Sequence, residues 1–112
     1  MPRFTPHPTA PVPERAILVG VERREFDWPI GESMAELARL AETDGAVVVA
    51  TMVQRLDAPV PRTFIGSGKA GELVRMVHSL DADVVIFDDE LTPSQQSNLE
   101  RIVGEPTKVI DR

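Results

Sequence analysis

The 112-residue chain contains no cysteine. That excludes a disulfide framework and any thiolate zinc site, and it suits a reducing cytosol. Only two histidines are present, His7 and His78, and neither falls in a segment that reads as a strand-end loop. A Ser/His/Asp or Cys/His catalytic set therefore has no base to build on. No apolar run is long enough to cross a bilayer as a helix. The first thirteen residues hold five prolines and no apolar stretch, so they do not form a signal peptide. A cytoplasmic protein is expected. Positive charge is scarce, with a net charge of −6, which argues against a nucleic-acid binder whose affinity comes from an overall basic surface.

The chain nevertheless has the means to fold. Hydrophobic residues make up 42% of it, enough for the core of one domain. The charge is also uneven. Over residues 54–80, Arg55, Arg62, Lys69 and Arg75 outnumber Asp57 and Glu72, whereas residues 81–112 carry eight acids against three bases. Such a bipolar domain has the electrostatics to lay one face on RNA while the other meets water or a partner.

Residues 1–14 read as a flexible, proline-rich lead-in, because each proline blocks helix and removes a ladder donor. Arg15–Val21 reads as a strand apolar on both faces. Glu22–Gly31 is polar, with Trp28 as a lid on the core. Ser33-Met34-Ala35-Glu36 has the pattern of a capping box. Met34, Leu37, Ala38 and Ala41 then recur on one helical face as far as Asp44-Gly45. Ala46–Leu56 is β-branched and reads as a strand ended by Pro59 and Pro61, and Thr63–Ile65 as a short extra or edge strand. A second helix places Leu73, Met76, Val77 and Leu80 inward, with His78 at or near the surface. Asp83–Phe87 is a further apolar strand. Thr92-Pro93-Ser94-Gln95 opens a third helix with a capping box and proline in the first turn, Leu99, Ile102 and Val103 form its core face, and Gly104 stops it. Thr107–Ile110 is the last strand. The alternation predicts an α/β fold: a small, mostly parallel sheet of about four main strands, linked by βαβ units and covered by helices on both faces.

Gly66-Ser67-Gly68-Lys69, after a strand and before a helix, is the sharpest candidate site. Helix-start amides flanked by glycines accept phosphate, and a lysine adds charge. The P-loop pattern fails twice, since Thr63 stands where the first glycine belongs and Ala70 where the magnesium-binding Ser or Thr belongs. Three readings stay open for the turn: a tight structural corner with a solvated lysine, an RNA-phosphate contact together with Arg55 and Arg62, or a free-nucleotide site. Asp88-Asp89-Glu90 closes a strand where ligands gather in open α/β sheets. No second acidic cluster or strand-end lysine completes a phosphoacceptor or metal site, so these acids read as loop-solvating groups facing the start of the third helix. Gln96 and Asn98 are candidates to face a partner. The residues support no catalytic constellation and no metal site.

The succession FIGSGK (Phe64–Lys69), DVVIFDDELTPSQQSNLE (Asp83–Glu100) and KVIDR (Lys108–Arg112) resembles the N-terminal domain of the HflX GTPases, and the likeness extends over residues 15–112. The acidic strand end followed by Leu-Thr-Pro and an amide-rich helix start is its most specific part. Gly71 departs from the family pattern, which usually has a helix-forming acidic residue there. The resemblance implies an α/β subdomain that precedes a long antiparallel helical hairpin and a Ras-like G domain, both absent from this chain, in proteins that bind the large ribosomal subunit (rRNA and ribosomal protein) and split stalled ribosomes under stress. GTP and Mg²⁺ then belong to the absent G domain. The chain itself is expected to be non-catalytic and without a cofactor, to act with the hairpin and G domain in cis, and to have no membrane span. Two alternatives accompany this reading: an ATP- or GTP-binding unit using the Gly66–Lys69 turn, and a regulatory domain restraining the G domain.

Overall fold

The computed structural model describes residues 12–23 and 29–112. The expected lead-in therefore lies outside the described residues up to position 11, and so do His7 and Trp28. Four strands and three helices alternate: β1 (Arg15–Arg23), α1 (Ile30–Thr43), β2 (Val47–Leu56), α2 (Ser67–Leu80), β3 (Val84–Phe87), α3 (Pro93–Val103) and β4 (Lys108–Asp111). The strands form one sheet in the order β2-β1-β3-β4, and every pairing is parallel. The α/β architecture expected from the sequence is the one observed.

Leaving β1, the chain crosses in one direction to β2; from β3 it crosses in the opposite direction to β4. Crossovers of one hand that run in opposite directions must use opposite faces of the sheet. The two cores follow that division. On one face Met34, Leu37 and Ala41 of α1 pack on Ala16, Leu18, Val84 and Ile86. On the other, Leu73 and Val77 of α2 and Leu99 and Val103 of α3 pack on Ile17, Val19, Val85, Phe87 and Val109. β1 serves both cores, so Ala16, Ile17, Leu18 and Val19 are wholly buried in succession. Burying a side chain as large as Phe87 contributes about 1.5–3 kcal/mol.

Local details differ from expectation at four places. α1 begins three residues before Ser33. Pro29 is its N-cap, in an extended conformation, and its carbonyl accepts from the amides of Glu32 and Ser33. The capping box expected at Ser33 is absent because Ser33 already lies inside the first turn, and its hydroxyl donates instead to Asp88 across the sheet end. Thr63–Ile65 is not a strand. Val60 and Phe64 form an isolated antiparallel bridge, and Phe64 adopts a positive φ of 67°. That left-handed turn drops its ring onto Phe87, edge to face at 6.0 Å, a geometry favoured by the ring quadrupoles. Ile102, expected in the core, is 38% exposed, because α3 buries the narrower stripe Gln95, Leu99 and Val103. Asp88, expected to solvate a loop, is buried. By contrast the start of α3 is as expected: Thr92 accepts from the Gln95 amide at 3.1 Å, and the Gln95 side chain accepts from the Thr92 amide at 2.9 Å.

Candidate functional site

Because β1 and β3 send their connections in opposite directions, their carboxyl ends part, and ligand sites in open α/β sheets form at such points. A cleft of about 200 Å³ lies there, lined by Val21, Arg23, Ile30, Ser33, Asp88 and Asp89 among others. Asp88 ends β3 and is 8% exposed. One of its oxygens accepts from Ser33, and the other lies 3.3 Å from Nη1 of Arg112. Arg112 also pairs with Glu36 of α1. Next to it, the Asp111 carboxylate accepts from the Leu91 amide at 2.6 Å. Asp111 at the end of β4 and Arg112 after it thus clip together the end of β3, the turn into α3 and the side of α1. Burial raises the pKa of Asp89 above the usual carboxylate value, and the neighbouring Asp88 adds to that rise; Arg23 and Arg112 oppose it. Asp89 was singled out in the sequence, but Ser33 and Arg112 as partners of its neighbour were not. No local signal marks contacts 55 and 24 residues apart along the chain.

The Gly66–Lys69 turn lies elsewhere, at the carboxyl end of β2 and on the α2 face. The Gly66 amide donates to the Gln54 side chain at 2.9 Å. A Cβ at Gly66 would come within 3.1 Å of that same Gln54 side chain, so glycine permits the close approach. The first intrahelical bond of α2 runs from Ala70 to the Gly66 carbonyl, and no side chain caps the helix start. Ser67 and Gly68 are exposed there. Lys69 pairs with Glu72 at 3.2 Å one turn along the helix, an exposed-type pair contributing little to stability.

The other candidates are partly drawn together. Arg62 is exposed, and its carbonyl accepts from the Asn98 amide at 3.0 Å. Gln96 donates to the Val109 carbonyl at 2.8 Å. Each of these two amides therefore already holds one contact within the fold. Arg55 is exposed and follows Gln54 on β2, so it projects on the α1 face rather than beside Lys69. Among the described residues no group of three or more His, Cys, Asp or Glu side chains is placed to hold a metal ion. None of the described helices is long and apolar enough to cross a membrane.

With this geometry in place, the likeness to known proteins is decisive. Residues 31–112 match the family described as GTP-binding GTPase N-terminal. The chain belongs to that family. It is 41% identical over 99 residues to a GTPase HflX of Alkalihalophilus pseudofirmus, which spans 88% of this chain and 23% of the relative. The corresponding match in Flavobacterium psychrophilum is 38% over 100 residues, 88% of this chain and 24% of the relative. In Escherichia coli it is 37% over 81 residues, 72% and 18%. The family resemblance carried by the Gly-Ser-Gly-Lys turn and the DDELTPSQQ stretch is thereby upheld. The chain spans about a quarter of the length of the first two relatives.

Proposed function

We propose that residues 1–112 form the non-catalytic N-terminal module of a longer HflX-like GTPase, which docks on the large ribosomal subunit and helps dissociate or rescue ribosomes in the cytoplasm. GTP and Mg²⁺ are handled by a G domain elsewhere in that protein, and a helical hairpin joins the two. The relatives bear the name GTPase HflX and are about four times longer than the matched region, which supports a division of labour between this module and the remainder.

The observation that carries the docking role is the uncapped start of α2. Exposed Ser67 and Gly68, with Lys69 behind them and Arg62 on the adjoining loop, offer amides and positive charge to a phosphate backbone. Arg55 extends this basic set around the strand end, and Asn98, bonded to the Arg62 carbonyl, adds a side-chain oxygen beside it, while Gln96 is offered to a partner from the β4 side. The test is binding of the whole protein to large subunits over a series of salt concentrations, with Arg55, Arg62 and Lys69 each reversed to Glu. Weaker, less salt-sensitive binding is expected. Unchanged binding in the triple variant removes the basis of the proposal, and heat on titrating ATP or GTP into the 112-residue chain turns the reading towards a nucleotide site at Gly66–Lys69.

A further inference from the structure

The two outer strands of the sheet differ sharply. β4 has four residues, whereas β2 has ten. β2 hydrogen-bonds β1 on its inner side, and no described strand pairs with its outer side. An open outer strand presents a row of unpaired amides and carbonyls, and natural sheets blunt such a row with lysine, proline or a short strand. Apart from Arg55 near its end and one bulge, β2 is not blunted: Val47–Gln54 contains neither a charge nor a proline. Val47 and Val53, 46% and 37% exposed, stand along it.

We infer that this edge binds a second copy of the chain, antiparallel and about a two-fold axis, so that two four-stranded sheets join into one of eight. The bulge opposite Ala16 and Ile17 fixes the register. It places Val49 and Ala50 in succession on the α2 face, packed against the same core. Residues before and after it therefore alternate out of step, with Ala46 and Val48 on the α1 face and Thr51 and Val53 there too, opposite Leu18 and Gly20. Directly opposed residues in an antiparallel pair must lie on one face. Across the bulge, only a two-fold axis between Val49 and Ala50 satisfies that condition. It opposes Ala46 to Val53, Val47 to Met52, and Val48 to Thr51, covering both exposed valines with uncharged neighbours.

Charge complementarity supports the same register. Beyond the paired residues it carries Arg55 of each copy to the carboxyl end of α1 in the other. That end has no basic residue in its last turn, and Asp44 is its C-cap; a helix carboxyl terminus carries partial negative charge. Arg55 makes no ion pair within its own chain among the described residues. Dimer and ribosome then compete for Arg55.

Sedimentation velocity of the 112-residue chain over a wide concentration range tests the proposal, with circular dichroism confirming that each variant is folded. The wild-type chain should dimerise reversibly, and Val53→Lys should leave a folded monomer. Asp44→Arg and Arg55→Asp should each weaken association roughly tenfold, because two equivalent pairs become repulsive, and the double exchange should restore it. A wild-type monomer at every concentration overturns the proposal, whether or not it captures an added extended peptide. So does a dimer indifferent to Val53→Lys, or one whose affinity ignores the charge exchange.

Discussion

Gly20 sits in the middle of β1, a position where glycine weakens a strand unless something needs the space. A Cβ there would lie 2.5 Å from the Met34 sulfur, so the missing side chain lets α1 seat against the sheet. Gly20→Ala is expected to destabilise the fold by about 1–3 kcal/mol through overpacking, read as a lower urea midpoint. Asp89 presents the opposite case, a residue the fold tolerates at some cost. Its pKa is raised above 3.8 by burial, with Asp88 adding to the rise. The folded state thus holds the proton more tightly than the unfolded chain. Stability attributable to this group falls as pH rises from about that value through the raised one, and is flat beyond. Asp89→Asn should gain only a few tenths of a kcal/mol at neutral pH, given its partial exposure, and should flatten that acid-side slope in urea titrations run at several pH values. Gly71 lies inside α2, where an added Cβ meets only the end of Arg75, at 3.7 Å. Gly71→Ala should stabilise the protein by about 0.5–1 kcal/mol by limiting the unfolded chain, raising its melting temperature.

At the scale of elements, the three helices do not begin alike. α3 has a full capping box with proline in its first turn, while α1 and α2 have no side-chain cap. The box at Thr92 was legible because both partners lie three residues apart. Thr92→Ala should cost about 1 kcal/mol in equilibrium unfolding, whereas Ser33→Ala should leave the α1 cap untouched. The Ser33 sequence pattern misleads for a physical reason. The chain enters α1 three residues earlier, so Ser33 already lies inside the first turn, and its hydroxyl donates to the buried carboxylate of Asp88, which needs a donor. The turn at Phe64 illustrates the same limit, since its apolar residues fit a strand until the ring finds Phe87.

For the whole molecule, a net charge of −6 means that any RNA contact depends on a few placed cations rather than on the field of the chain. Each of Arg62 and Lys69 that meets a phosphate should, on replacement by a neutral residue, reduce the slope of log affinity against log salt by about 1. Measured on large subunits, an unchanged slope assigns the docking surface elsewhere. The same placement separates the module into two ends. The uncapped α2 start lies with β2, whereas the Asp88–Arg112 clip holds β3, β4 and α1 together. Replacing Arg62 or Lys69 should therefore alter binding without loosening that clip.

The sequence by itself determined the alternation of strands and helices, the burial of β1 on both faces and the parallel sheet, because hydrophobic period and capping chemistry are local properties of neighbouring residues. It also carried the family signature in its glycine turn and its amide-rich helix start. Only the tertiary structure decided the strand order, the partners of Asp88 and which strands lie at the edges of the sheet. Those depend on residues far apart along the chain, and their free energy comes from shared burial that no short segment possesses alone.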